Sequence, residues 1–445
     1  MDRIYVSNWF FLELFHYFRA QAFSRHLAEA ACGRESLRAT NLYNCKTINI
    51  SHFKLKFLLF SQSHTMSEAA NPTPYDCHIG AGIYHSIATS FSDQNVVVSP
   101  LLLEATLSLL FLGSDGATAE ELQKQLRLKQ RFPSNAKMAN FYAAELANIT
   151  ADADTFLQLQ NRLMLGSDSG VADDFQKIAQ TYFHATAECV DLEQTEKLRR
   201  HISEQILASV GGGNWKDIHV AGGSPSKTLL LLLAANLQSK WFLPFSAYRT
   251  GLYEFHSGSQ VKSVPMLFDD DMFVKFAELR DLDARAIELP YEHAEELSML
   301  LILPNQRGGL QELEKQLHDL DLGALQQRMQ MEGVQVLLPK FSIDFECSLR
   351  QPMKQLGFEE IFAASANFKH LHASANLPIA DVLQKLRINL NESGSGPELP
   401  KNATEYKPIV ISNSSRQKFF RADHPFFFAI RSENVTYLMG HVVEF

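Results

Sequence analysis

The most constraining feature of this sequence is an unbroken apolar run in the middle of the chain. Residues 229–235 read Leu-Leu-Leu-Leu-Leu-Ala-Ala. The run is far shorter than the roughly 18 residues that a membrane-spanning helix requires. Since it does not alternate with polar residues, it predicts a central strand that is buried on both faces. We therefore expect a sizeable core and no contact with a membrane.

Composition and charge agree with a folded globular chain and argue against several classes of protein. The 445 residues are 46% hydrophobic and 20% charged, and the net charge is −9. This acidic balance argues against nucleic-acid binding. The five cysteines include no pair with the CxxC spacing of zinc or thioredoxin-type sites, so we expect no metal. Their odd number gives no disulfide framework and leaves the compartment open.

The first 65 residues do not look like part of the folded body. An apolar stretch at 9–18 is followed at 20–22 by Ala-Gln-Ala, which is similar to a signal-cleavage site, but polar residues interrupt the apolar stretch. In a second interpretation, Met66 is the true start. Both interpretations stay open. We expect residues 1–65 to be a poorly ordered extension, a signal or a mis-assigned start.

A long polar segment near the C-terminus separates two predicted strands. The strands are predicted by the alternating residues 386–390 and by the apolar residues 426–430. Connections as long as the one between them are uncommon in compact domains and are usually functional or disordered. The function of the protein is therefore expected to lie in this loop.

Motifs spread over residues 75–445 occur in a characteristic order. They are Asn95–Leu128, Asn161–Leu163, Lys240-Trp241 with Pro244-Phe245, Ala286–Tyr291, Ser298–Pro304, Leu338–Phe341, Phe420–Phe426 and Met439–Val442. Together they resemble the serpins, the serine protease inhibitor superfamily. The resemblance covers the chain from residue 75 to the end, and its motifs are specific because they fall in family order.

The resemblance implies a single α+β domain over residues 75–445. A serpin fold has a large antiparallel central sheet, two smaller sheets, about eight to nine helices and an exposed reactive-centre loop, here at about 392–418. In inhibitory members a serine protease cleaves this loop, whose N-terminal half then inserts into the central sheet and drags the protease along. The resemblance thus implies a monomer, a serine protease as partner and no cofactor.

The hinge that opens the loop departs from the pattern of inhibitory members. The family's first hinge residues are kept as Glu392, Gly394 and Ser395. The small residues that should follow are replaced by Pro397, Pro400 and Lys401. Proline cannot donate a hydrogen bond within a central strand. Strand alternation would also turn Lys401 into the sheet interior, where burial without a partner is costly.

The same resemblance assigns residues at the top and beneath the middle of the central sheet. At the top, near Trp241, we predict an ion pair between Lys340 and Glu392. Beneath the sheet, the family's polar cluster keeps only Ser99, and its other positions are Leu102, Leu233 and Gln384. We therefore expect the hydrogen-bonded switch that steadies sheet opening to be absent.

The bond that a protease would cleave is left open by two ways of counting. Counting forward from the hinge gives Pro408 and Ile409 as the flanking residues. Counting back from the end of the loop gives a bond near Ser414. The segment from about 394 to 415, rich in Gly, Pro, Ser and Asn, should be exposed and uninserted.

Six N-x-S/T sequons bear on the compartment. They begin at Asn49, Asn148, Asn391, Asn402, Asn413 and Asn434. A sequon matters only in a secreted protein. We expect an extracellular glycoprotein and leave a cytoplasmic location open. Glycans on Asn402 or Asn413 would obstruct a protease.

No motif predicts an enzyme. Residues 222–228 resemble a phosphate loop, but the glycine before the lysine is missing and a strand follows. Neither GxSxG nor HExxH occurs. Asp423 and His424 are expected on a structural turn. A solvated helix face is expected for the basic residues Lys124, Arg127, Lys129 and Arg131.

Three functions are therefore weighed. The first is a serpin whose loop inserts poorly, which makes it a non-inhibitory or substrate-like binding protein. The second is a working inhibitor that traps serine-type endopeptidases as a covalent suicide substrate despite the altered hinge. The third is an enzyme, for which no catalytic motif is found. The hinge favours the first.

Overall fold

The structure is a computed structural model of the chain. It describes residues 78–150, 157–166, 170–212, 215, 227–292, 297–317, 322–372, 376–396, 406, 408, 409, 411, 417–432 and 435–445. The N-terminal extension expected at 1–65 lies outside these ranges, and so do Pro397, Pro400, Lys401 and Ser414.

Ten α-helices lie within the described ranges. They are α1 (His78–Ser90), α2 (Pro100–Gly113), α3 (Gly116–Gln125), α4 (Leu128–Arg131), α5 (Asn135–Thr150), α6 (Asp173–Phe183), α7 (Thr195–His201), α8 (Leu310–Leu317), α9 (Leu322–Gln326) and α10 (Arg350–Gln355). A π-helical turn (Ile202–Ile206) and a 3₁₀ turn (Leu207–Val210) continue α7. In the described part of the chain, no helix is long and apolar enough to cross a membrane.

Sixteen strands accompany these helices in the same ranges. They are β1 (Val96–Val98), β2 (Leu157–Leu165), β3 (Ala185–Cys189), β4 (Leu229–Leu237), β5 (Ser239–Lys240), β6 (Gly251–Ser257), β7 (Gln260–Leu279), β8 (Ala284–Pro290), β9 (Ser298–Pro304), β10 (Gln330–Pro339), β11 (Phe341–Ser348), β12 (Ile379–Asn391), β13 (Gly394–Ser395), β14 (Lys418–Arg421), β15 (Phe426–Arg431) and β16 (Thr436–Val442).

The central sheet has seven strands in the order β3-β2-β4-β12-β13-β5, with β11 paired to β12. Most neighbours are antiparallel, but β4 pairs with β12 in parallel, and so does β2 with β3. The β4–β12 pair is the centre of the sheet, and it runs from Leu229 opposite Ile379 to Leu237 opposite Ile388. The hinge follows directly from the end of β12.

Strand β4 is buried along its whole length, as the apolar run predicts. Leu231, Leu233 and Ala235 belong to the main hydrophobic core. Leu230 and Leu232 belong to a second cluster that contains residues of α7 and of the turns that follow it. Because successive side chains of a strand point to opposite faces, each face of the sheet is covered by its own cluster.

The remaining strands form one sheet of nine, in the order β1-β16-β15-β9-β8-β7-β10-β14, with β6 paired to β7. The two smaller sheets expected from the resemblance are joined here because the long strand β7 runs through both. β7 pairs at one end with β8 and at the other with β6, and it lies beside β10 over most of its length.

One of the basic residues expected on a solvated helix face, Arg131, has a nearly buried side chain instead. Arg131 Nη2 lies 3.0 Å from the Glu104 carboxylate, with 6% of the arginine side chain and none of the glutamate side chain exposed. Glu104 projects from α2, a helix in which most residues are buried. Pairing with this carboxylate makes burial of the arginine side chain tolerable, so Arg131 does not belong to the expected solvated face.

A polar triad connects three separate elements inside the core. Tyr84 Oη donates to Glu314 Oε1 at 2.6 Å, and His441 Nδ1 lies 2.6 Å from the same oxygen. The Nε2 atom of His441 lies 2.9 Å from the carbonyl oxygen of Gln94. Burial, reinforced by the Glu314 carboxylate, raises the pKa of Tyr84 well above its usual value. Helix α1, helix α8 and strand β16 are thereby joined.

We expect Glu314→Gln to lower the free energy of unfolding by about 1–3 kcal/mol, because a neutral amide oxygen forms weaker hydrogen bonds with Tyr84 and His441 than the carboxylate oxygen does. Urea denaturation measures the effect. The control is Glu312→Gln on the same helix, where the side chain is 69% exposed beside Lys315. This control should change stability by less than about 0.5 kcal/mol. Equal losses in the two variants would contradict the role given to the triad.

Candidate functional site: the hinge and the reactive-centre loop

The first residues of the loop are inserted in the central sheet. After β12 the chain turns at Glu392 and Ser393, and β13 returns antiparallel beside β12, with Ser395 opposite Leu390. On its other side β13 pairs with β5. The expectation that the whole segment from 394 onward is exposed and uninserted is therefore wrong for Gly394 and Ser395, which are both buried.

Close backbone approach explains why glycine occupies position 394. Its φ of +146° lies in the region that side chains rarely adopt, and a Cβ atom there would lie 2.0 Å from the carbonyl oxygen of Ser239. Gly396 has a similar φ of +156° but would meet nothing within 4 Å. Glycine thus allows the hinge to enter the sheet directly against β5, where any other residue would be pushed out.

A tyrosine that the sequence analysis did not single out holds the next hinge residue. Tyr291 Oη lies 2.8 Å from Ser395 Oγ. The Tyr291 ring stacks on Trp241, with centroids 4.5 Å apart and an interplanar angle of 12°. Burial raises the pKa of Tyr291, so it stays neutral. Tyr291 is the last residue of the family motif Ala286–Tyr291, and its place in that motif is the signal by which the sequence could have identified it.

Trp241 also fixes the turn between β12 and β13. Its indole Nε1 donates to the carbonyl oxygen of Asn391 at 3.1 Å, and its backbone N–H donates to Ser393 at 2.8 Å. The backbone N–H of Phe245 donates to the Glu392 carbonyl oxygen at 2.9 Å. The carbonyl groups of this turn are thus satisfied by the segment that follows β5, which holds the hinge at the top of the sheet.

The predicted contact between Lys340 and Glu392 is confirmed. Lys340 Nζ lies 3.1 Å from Glu392 Oε2, and the exposed fraction is 14% for the lysine side chain and 15% for the glutamate side chain. Partial burial raises the pKa of Glu392, but its own backbone amide and the Lys340 ammonium outweigh burial, so the pKa is lowered overall. Lys340 Nζ also lies 3.5 Å from Tyr406 Oη, in the middle of the loop.

Beneath the sheet, the four residues assigned to the polar cluster do lie together. Ser99 caps α2, where its Oγ accepts from the backbone N–H of Leu102 at 3.3 Å. Gln384 Oε1 accepts from the Ser99 backbone N–H at 3.2 Å, so two of these four positions are joined by a hydrogen bond. Gln384 Nε2 is buried and, among the described residues, has no hydrogen-bond partner. Leu233 lies opposite Gln384 in the β4–β12 pair, and Leu102 and Leu233 both belong to the main hydrophobic core.

The two residues flanking the first predicted cleavage point lie against the body. Pro408 forms an isolated parallel bridge with Leu252 of β6. The backbone N–H of Ile409 donates to the Leu252 carbonyl oxygen at 3.0 Å. The second predicted point, Ser414, lies outside the described residues. Whether either bond is the one cleaved stays a prediction.

The sequon at Asn391 is sterically closed in the folded chain. Asn391 is buried, its Nδ2 donates to the carbonyl oxygen of Gly396 at 3.2 Å, and its Oδ1 accepts from the Ser393 backbone at 2.9 Å. A glycan needs a free, exposed amide, so this sequon does not support the expected glycoprotein. The sequons in the loop lie outside the described residues.

Asp423 and His424 lie on a structural turn, as the sequence analysis expects. His424 Nδ1 lies 2.7 Å from Asp423 Oδ1, and Nε2 lies 2.8 Å from the carbonyl oxygen of Pro304. Both ring nitrogens are occupied by the fold. In the described ranges no group of three His, Cys, Asp or Glu side chains is placed to hold a metal ion.

Comparison with known proteins agrees with this geometry. The family model described as Serpin (serine protease inhibitor) matches residues 76–445, so the chain belongs to the serpin family. "Serine protease inhibitor 42Dd" of Drosophila melanogaster is 30% identical over 376 residues, which cover 83% of this chain and 97% of that protein. "Serpin B8" of Bos taurus is 29% identical and covers 76% and 89%.

Solved structures show the same fold. Serpin48 of Tenebrio molitor, described as a highly specific serpin, has a TM-score of 0.72 at 24% identity and covers 83% of this chain and 96% of its own. Thyroxine-binding globulin in complex with thyroxine has a TM-score of 0.70 at 18% identity and covers 83% and 97%. At these identities the likeness establishes the fold and nothing further.

We expect Gly394→Ala to expel β13 from the sheet, since the added Cβ would meet the Ser239 carbonyl oxygen at 2.0 Å. The midpoint of urea unfolding should fall by an amount equivalent to about 1–3 kcal/mol. Gly396→Ala is the matched control, because it has a similar φ but open space around it. Its loss should be clearly smaller. A loss as large as that of Gly394→Ala would mean that backbone conformation, not contact with β5, selects glycine.

The ion pair of the hinge should also give a pH signature. Because the folded-state pKa of Glu392 is lowered, its contribution is fully present above the unfolded value of about 4.3 and is lost as pH falls through the lower folded value. The difference in stability between wild type and Lys340→Met should therefore be constant near neutral pH and shrink below about pH 4. A difference independent of pH down to about 3 would exclude this pair as its source.

Proposed function

We propose that this serpin-family protein is a poorly inserting member, which serves as a non-inhibitory or substrate-like binding protein. The observation that carries the proposal is the register of β13, which indicates where each later hinge residue would lie if insertion continued. Ser395 opposes Leu390 of β12 and Ser239 of β5, and an antiparallel strand keeps this register as it grows.

Continued insertion would leave backbone acceptors unsatisfied on both sides of the new strand. The N–H of Gly396 donates to Asn389 of β12 at 2.9 Å, and in an antiparallel ladder every second residue faces the same neighbour. By this alternation, residue 400 would face β12 and residue 397 would face β4. Both are prolines, so each removes a donor from a different neighbour.

The same register gives the position that Lys401 would occupy in the sheet. Counting on from Ser395, residue 401 would lie between Gln384 of β12 and Leu233 of β4, on the face that carries Ser395. There Gln384 offers an amide and Leu233 a hydrocarbon surface. Neither of these two side chains is a carboxylate that could pair with a lysine ammonium, and burial of an unpaired charge costs several kcal/mol.

These penalties bear on whether loop insertion is faster than hydrolysis of the acyl-enzyme. Inhibition requires insertion to outpace hydrolysis of the acyl-enzyme, and each 1.4 kcal/mol added to the insertion barrier slows it about tenfold. An unsatisfied buried acceptor costs about 1–3 kcal/mol, and two are expected before the lysine is counted. Hydrolysis should therefore win, and the cleaved protein should be released as a substrate. Thyroxine-binding globulin offers a precedent for a binding role on this fold.

A working inhibitor is the second candidate. It is favoured by the hinge entering the sheet at Gly394 and Ser395, and by relatives that carry the names of protease inhibitors. A panel of serine proteases separates the candidates on denaturing gels. A complex stable in SDS supports the inhibitor, and cleavage without complex supports the poorly inserting protein.

We expect cleavage of the loop between Lys401 and Ser415 to leave the melting temperature nearly unchanged, because the cleaved strand cannot complete its ladder. Replacing residues 397–401 by Ala-Ala-Ala-Ala-Thr should restore at least part of the rise that insertion produces. Lys401→Thr alone serves as an intermediate variant, which removes the charge but keeps both prolines. Calorimetry before and after cleavage measures each. A large rise in the wild-type protein would overturn the proposal and move the inhibitor to first place.

A further inference from the structure

A second set of contacts holds the middle of the loop, well beyond the hinge. Of the residues between 397 and 416, the structure describes Tyr406, Pro408, Ile409 and Ile411, and each of them contacts the body. None of these contacts involves the inserted strand β13. They therefore add a constraint on the loop to the one that β13 provides.

The backbone contact covers an open strand edge. β6 pairs with β7 along one side. On its other side, the carbonyl oxygen of Leu252 accepts from the Ile409 N–H at 3.0 Å, and the N–H of His256 donates to the Asp423 carbonyl oxygen at 2.8 Å. Unpaired edge groups attract foreign strands, so covering them has a use in itself. Here a piece of the loop covers one of them.

The side chains of this segment add an apolar anchor. Ile409 and Ile411 are partly buried and pack against the main hydrophobic core. A loop that was free in solvent would leave both isoleucines exposed to water, at a cost proportional to the apolar area. Docking therefore stabilises the attached position of a segment that a protease would have to pull out.

Lys340 connects this anchor to the hinge. Its Nζ atom lies 3.1 Å from Glu392 Oε2 and 3.5 Å from Tyr406 Oη. Burial lowers the pKa of Lys340, but Glu392 and Tyr406 outweigh burial, so the pKa is raised and the ammonium is retained. One cation thus contacts both the residue that opens the hinge and a residue in the middle of the loop.

We propose that Tyr406, Pro408, Ile409 and Ile411 form a strap that docks the loop on β6 and masks the bond between Pro408 and Ile409. Proteases bind their substrates in extended form, with backbone hydrogen bonds to the enzyme. The N–H of Ile409 is already used by Leu252, so recognition requires the strap to detach first. Lys340 couples this detachment to the hinge. This inference rests on the proposed function, because the strap belongs to the same loop, and it adds a control on when a protease can bind that loop.

The experiment follows hydrogen exchange of the Ile409 and Gly396 amides in the intact chain, by mass spectrometry with fragmentation. In the wild type, the Ile409 amide should exchange at least about tenfold more slowly than in a free peptide of the same sequence. Tyr406→Phe should accelerate exchange at Ile409 roughly two- to tenfold, the range that one hydrogen bond contributes to an opening equilibrium. Lys340→Met should accelerate both amides.

The exchange experiment has one control variant and two outcomes that would contradict the proposal. Tyr248→Phe is the matched control, because Tyr248 is 98% exposed, and it should change neither amide. Exchange of wild-type Ile409 at the free-peptide rate would overturn the strap. Protection that neither Tyr406→Phe nor Ile411→Ala lowers would overturn the anchors assigned to it. All of this is measured before cleavage, whereas poor insertion is judged by melting after cleavage, so either proposal can fail alone.

Discussion

The parallel pairing of β4 with β12 is the interaction on which the rest of the molecule depends. The pair is the middle of the central sheet, and its side chains divide between two hydrophobic clusters, one on each face. Parting the strands would expose apolar surface on both faces until a new strand covers it. An inserting strand therefore has to fit at every position as it advances, and the residues at the top of the pair decide whether it starts.

At the top of the central sheet, two hinge residues, Gly394 and Ser395, are paired with β12 and β5. Gly394 tolerates the closest approach to β5, and Ser395 finds the hydroxyl of Tyr291, so each satisfies the position that it occupies. Gly396 still donates to β12, and Pro397 is the first residue that cannot donate at all. The pairing seen at Gly394 and Ser395 is therefore compatible with the poor insertion proposed above.

Much of the fold follows from the sequence, because its signals are local or carried by motifs. The leucines of β4 predict a buried strand, and the family motifs predict the contact between Lys340 and Glu392. The short strand β13 could not be predicted, since it depends on the backbone of Ser239 and Lys240, far away in the chain. The docking of Ile409 on Leu252 is hidden for the same reason. A sequon such as Asn391 likewise carries no information about its own burial.

The polar contacts that control opening are unevenly distributed between the top and the middle of the sheet. At the top, Trp241, Tyr291, Lys340 and the hinge satisfy one another. In the middle, Gln384 accepts one hydrogen bond from Ser99, its amide nitrogen has no partner among the described residues, and Leu233 lies opposite it on β4. A closed, satisfied top raises the cost of starting to open, and an apolar middle raises the cost of admitting a charge. Under the proposed function, resistance to insertion would therefore not lie in the hinge alone, because the sheet itself would favour a strand of small, uncharged residues over this one.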